Sequence, residues 1–109
     1  MANVLKVLGQ VAPSATTLTT LYTVPALTTT VCSSIIVCNR SATATSFRVS
    51  VAIAGAGDTV AQYIYYDNTL AGNDTFVATI GLSLGAGDVL RVYNTLATLS
   101  FSVYGQENC

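Results

Sequence analysis

Histidine and tryptophan are absent from this 109-residue chain, proline occurs twice, and charged side chains make up only 8% of it. Each shortage excludes something. Without histidine, a serine or cysteine nucleophile lacks its commonest base, and no Ser-Lys or Cys-Asp arrangement of recognisable spacing replaces it. The basic residues are only Lys6, Arg40, Arg48 and Arg91, scattered along the chain; nucleic-acid binding needs a clustered basic footprint that displaces counterions, so that partner is not expected. Long apolar runs are missing too. The longest strongly apolar stretch, Ile35-Ile36-Val37-Cys38, is far below the roughly 18 residues of a membrane-crossing helix. Lys6, Gly9 and Gln10 interrupt the apolar character of the first residues, so a cleaved signal is not expected there.

What is present is apolar and hydroxyl-rich. Apolar residues make up 51% of the chain, enough to offset the entropy of ordering, so a disordered segment is not expected. The length suits one domain over residues 1–109 with a single core. An ordinary domain has about a quarter of its residues charged. Threonine, serine and alanine here occupy positions where lysine and glutamate would usually keep a surface solvated, which points to a subunit covered by neighbours.

Alternation with a period of two runs through the chain. Phe47, Val49, Val51 and Ile53 fall on one side of a strand and Ser46, Arg48, Ser50 and Ala52 on the other; Leu99, Phe101 and Val103 repeat the pattern against Ser100, Ser102 and Tyr104. Turn signals separate these runs at 39–41, 55–58, 71–74 and 85–88. The reading gives strands over 4–11, 18–24, 30–39, 45–54, 60–66, 75–82, 88–94 and 98–104 and no helix. The fold class is therefore all-β, a single antiparallel β-sandwich, jelly-roll or Ig-like, of about eight short strands. Residues 1–10 are expected to form an edge strand or an arm reaching another subunit. Gly-Ala-Gly-Asp occurs at 55–58 and again at 85–88; hairpin turns explain both, and no helix follows to make either a phosphate loop.

Candidate chemistry is thin. Asp58, Asp74 and Asp88 sit at turns, where Asx hydrogen bonding accounts for them. Oxygen ligands crowd Asp67, Asn68, Asn73 and Asp74, but without the spacing of an EF-hand, so no metal and no cofactor is expected. Cys32, Cys38 and Cys109 have no metal-ligand spacing either. On one regular strand Cys32 and Cys38 would share a face roughly 20 Å apart, too far to bridge. Either all three thiols are unpaired, or Cys109 bonds to Cys32 or Cys38, within the chain or between subunits. Asn39-Arg40-Ser41 and Asn73-Asp74-Thr75 match the glycosylation tripeptide.

The tyrosines are more informative. Tyr63, Tyr65 and Tyr66 lie together; strict alternation puts Tyr63 and Tyr65 on one face and Tyr66 on the other, as core packing, an interface anchor or a sugar-stacking platform. Arg48 and Arg91 sit mid-strand facing outward and are expected to meet a carboxylate of this chain or a neighbour. With Arg40 they complete the set of interface candidates.

Several stretches carry a resemblance that covers essentially the full length: Lys6-Val7-Leu8-Gly9-Gln10, Leu21-Tyr22-Thr23-Val24-Pro25-Ala26, Val37-Cys38-Asn39-Arg40-Ser41 and the closing Phe101 to Glu107. They look like small virion proteins of tailed bacteriophages, including cyanophages. The sequence departs from that pattern at Cys32, where an apolar residue is more usual, which makes a disulfide particular to this chain. The resemblance implies a non-enzymatic β-sandwich subunit of the virion, assembled in the bacterial host cytoplasm in multiple symmetric copies. Its partners would be other copies and other virion proteins. A tail, baseplate or fibre-associated place is expected first and capsid decoration second; a carbohydrate-binding module recognising a host surface glycan is the third reading.

Overall fold

A computed structural model describes residues 3–108, and the alternative of a bond from Cys109 to Cys32 or Cys38 involves a residue outside them. Alternating side chains become strands wherever one face can be buried. Nine form: β1 (Asn3–Val11), β2 (Thr19–Thr23), β3 (Thr29–Asn39), β4 (Thr45–Ala52), β5 (Tyr63–Leu70), β6 (Thr75–Ala78), β7 (Leu82–Leu84), β8 (Val89–Asn94) and β9 (Leu99–Asn108). The only helical pieces among the described residues are two 3-10 turns, Ile53–Gly55 and Val60–Gln62.

Two departures from the periodicity have local causes. The run 75–82 breaks into β6 and β7, with Gly81 in the left-handed region at φ +58° between them. The fifth strand starts at Tyr63, because Thr59 and Gln62 form a reciprocal capping box that winds 60–62 into a turn.

All pairing is antiparallel, in two sheets. The first, sheet A, runs β1-β9-β3 with both β6 and β7 on the far side of β3; the second, sheet B, runs β2-β8-β4-β5. Successive strands alternate between the sheets except at β4–β5 and β6–β7. Counting β6 and β7 as one interrupted strand, this is the order of an eight-stranded jelly roll, not the hairpin-rich order of an Ig-like sandwich.

The core fills the space between the sheets. Phe47 of β4 stands at its centre, with ring centroids 5.2 Å from Phe76, 6.2 Å from Phe101 and 6.3 Å from Tyr65. Ile35, Val37, Val49, Leu90, Val92, Leu99 and Val103 surround it, all buried. Where β1 meets β2, the sheets close tightly: a Cβ on Gly9 would lie 2.2 Å from the Leu21 carbonyl oxygen. Only glycine fits there.

Strand β3 carries a bulge that changes the cysteine picture. Cys32 pairs with Gly105 and Ser34 with Tyr104, leaving Ser33 as an inserted residue. An insertion turns every later side chain to the opposite face. Cys32 therefore points into the core, fully buried, while Cys38 lies on the outer face. The two thiols do not share a face, and both are free.

Candidate functional site

The outer face of sheet B gathers most of the candidate residues. Two irregularities in the β4–β5 ladder decide which tyrosines appear there. Ser50 pairs with Tyr63 but Val49 pairs with Tyr65, so β5 gains a residue, and a further one enters before Asn68 opposes Phe47. Asp67, within that second irregularity, has φ +52°. The result corrects the strict alternation: Tyr63 and Tyr66 share the outer face, with rings 5.0 Å apart edge to face, while Tyr65 turns inward against Phe47 and Phe76.

Arg48 organises this surface. Its guanidinium carbon lies 4.2 Å from the Tyr66 ring centroid and 4.5 Å from that of Tyr93, its direct cross-strand partner. Nε donates to Asp67 Oδ1 at 2.7 Å and Nη2 to Oδ2 at 3.3 Å. The planar fork thus meets a carboxylate edge-on while its faces stack on rings. Beside it, the Tyr63 hydroxyl donates to Asp58 at 3.0 Å, and burial together with that carboxylate raises its pKa.

Among the described residues of its own chain, Arg91 meets no carboxylate. Its two terminal nitrogens donate to the backbone oxygens of Ala56, at 2.9 Å, and Gly55, at 3.4 Å. Arg40 likewise donates to the Ala97 carbonyl at 3.2 Å. Both arginines hold connections in place. The 53–62 connection is further pinned by Asp88, whose carboxylate accepts from the amides of Ala54 and Gly85. The two Gly-Ala-Gly-Asp stretches are consequently neighbours with different roles: 55–58 belongs to the β4–β5 hairpin connection, whereas 85–88 carries the chain from sheet A to sheet B and is not a hairpin. The pinned connection presents Ile53 and Val60 to solvent.

The outer face of sheet A has the opposite character. The register places Leu5, Val7 and Gln10 of β1, Ser100, Ser102, Tyr104 and Gln106 of β9, Val31, Ser34, Ile36 and Cys38 of β3, and Val77 of β6 on it. None of the four basic and five acidic residues joins them: Lys6 and Glu107 turn to the inner side, Arg48, Asp67 and Arg91 belong to sheet B, and the others occupy connections. A shallow open groove of about 440 Å³ crosses this face between Gln10, Ile36, Ser100 and Ser102.

A polar cluster closes one end of the core. The Glu107 carboxylate accepts from the Tyr22 hydroxyl and pairs with Lys6 Nζ at 2.9 Å, and Tyr22 also bonds Thr30 at 2.9 Å. Those contacts, Tyr22 first, hold the Glu107 pKa below the ordinary carboxylate value; burial, then Glu107, pushes the Tyr22 phenol up to about 12. At the other end Asn39 is 2% exposed. Its amide donates to the carbonyls of Thr43 at 2.9 Å and Ala71 at 3.2 Å, and its oxygen accepts from the Ser41 amide. The 39–41 tripeptide therefore has no exposed asparagine to glycosylate.

Sequence reasoning missed the Arg48–Tyr66–Tyr93–Asp67 cluster as a unit, because the bulges that assemble it leave no periodic signal. Among the described residues, no group of three or more potential metal-ligating side chains occurs, and no helix is long and apolar enough to cross a membrane. No family model, curated protein or solved structure matches the chain.

Proposed function

We propose that the chain is a structural subunit of a bacteriophage particle, packed in multiple copies against itself and other virion proteins, without catalytic activity of its own. The observation that carries this reading is the charge-free outer face of sheet A. A lone protein keeps such faces solvated with charge, whereas the centre of an interface is depleted in it. The jelly-roll order is compatible, being an architecture of viral and lectin domains alike, and by itself it assigns no role. The sequence resemblance supplies the virion context, with a tail, baseplate or fibre-associated position first and capsid decoration second.

The carbohydrate reading loses ground at the tyrosines. Arg48 already covers one face of both Tyr66 and Tyr93, and Tyr65 faces the core. Fewer free ring faces remain for a sugar than the sequence promised.

Quantitative mass spectrometry of purified particles tests the proposal. A copy number that is a small multiple of three or six is expected for the tail position, and hundreds of copies would move the subunit to the capsid. Absence from the particle would overturn the reading.

A further inference from the structure

Four strand edges bound this sandwich, and three are protected in the ways that natural sheets use against edge-to-edge pairing. The β6–β7 edge is split into pieces of four and three residues. Strand β2 is five residues long with a register irregularity in its middle. Strand β5 carries two irregularities and the Arg48–Asp67 pair.

The fourth edge, β1, differs. It spans nine residues, and its single irregularity lies between Val7 and Gly9. At Gly9 it is backed by Leu21 of β2. From Asn3 to Val7 it runs in unbroken register on β9, from Asn108 to Tyr104, and every one of these five residues is exposed. Leu5 is 79% exposed, with Val4 and Val7 open beside it. The one charge on this stretch, Lys6, is turned onto Glu107. An edge strand bonded on one side leaves alternate backbone amides and carbonyls pointing outward.

We propose that this edge is covered by the same edge of a second copy, β1 pairing antiparallel with β1 across a two-fold axis at Leu5. The inference deepens the assembly reading above and rests on it. A second copy is favoured because the strand is complementary to itself in that register. Leu5 opposes Leu5, Val4 opposes Lys6 and Asn3 opposes Val7, so no like charges stand directly opposite each other, and the two Lys6 side chains, diagonal neighbours on the inner side, are each paired with Glu107 of their own chain. Centring the axis on Lys6 instead would set two lysines face to face, which is unfavourable. A two-fold contact uses the same patch on both subunits. It joins two copies of sheet A into one continuous sheet, and Leu5 and Val7 of both chains meet on the charge-free outer face, extending it across the axis.

Sedimentation velocity on the full chain, with Leu5→Asp, Leu5→Lys and their equimolar mixture, tests the pairing. Leu5 is exposed, so each variant should keep its strands, which circular dichroism checks. The wild type is expected to dimerise with rising concentration. Each variant alone should dissociate at least about tenfold more readily because like charges meet at the axis, and the mixture should dimerise again. Variants that dimerise like the wild type overturn the β1 pairing while leaving assembly through another surface intact. A wild type that stays monomeric, or a mixture that fails to recover, overturns it as well. Incorporation into particles, measured separately, reports on the assembly reading itself.

Discussion

Glu107 links the acid and alkaline limits of this fold. Its pKa is lowered in the folded state, so its contribution to stability is present above the ordinary carboxylate value of 4.5 and is lost as pH falls through the lower folded value. Tyr22 has the opposite sign: its pKa is raised from 10.0 to about 12, so its contribution is present below pH 10 and disappears as pH climbs through the folded value. Urea unfolding across the pH range should show both limbs. Glu107→Gln should flatten the acid limb and lower neutral-pH stability by about 1.5–3 kcal/mol, the range for a hydrogen bond to a charged group. Phe47→Ala, which empties the centre of the aromatic core, should cost about 3–5 kcal/mol in the same assay. At Asn39 the amide points at carbonyl oxygens; Asn39→Asp turns donors into acceptors there and should cost about 1–3 kcal/mol, read by the urea midpoint.

At the scale of elements, bulges mark where the sequence stops being legible. Alternation located the segments that became strands because burying one face demands a period of two, and the turn signals bounded them. An inserted residue such as Ser33 leaves no trace in composition, yet it sends Cys32 and Cys38 to opposite faces. The same holds for β5, where insertions exchange Tyr65 for Tyr66 on the outer surface. The break between β6 and β7 was hidden because Gly81 sits inside an otherwise apolar run. Thiol labelling checks the β3 bulge: Cys38 should react in the native protein, whereas Cys32, buried and with its pKa pushed up to about 11, should react only on unfolding. Equal native reactivity of both would contradict the inserted residue. The Asn39 amide side chain and Gly72 brace the two connections at that end; a Cβ on Gly72 would lie 2.1 Å from the Ala42 carbonyl oxygen. Gly72→Ala should lower the thermal midpoint without changing the strand content by circular dichroism.

For the whole molecule, charge is segregated: one sheet carries Arg48, Asp67 and Arg91, and the opposite face carries none. With a sequence pI near 4.8, repulsion vanishes at mildly acidic pH, and light scattering should show association strongest there. The strand order has another consequence, one of timing. Strand β9, the last of the nine to be made, sits between β1 and β3 in sheet A. Until β9 has left the ribosome, β1 has no partner in sheet A, so the sandwich closes only after all nine strands have been made, and the nascent chain must keep its apolar strands apart for that whole interval.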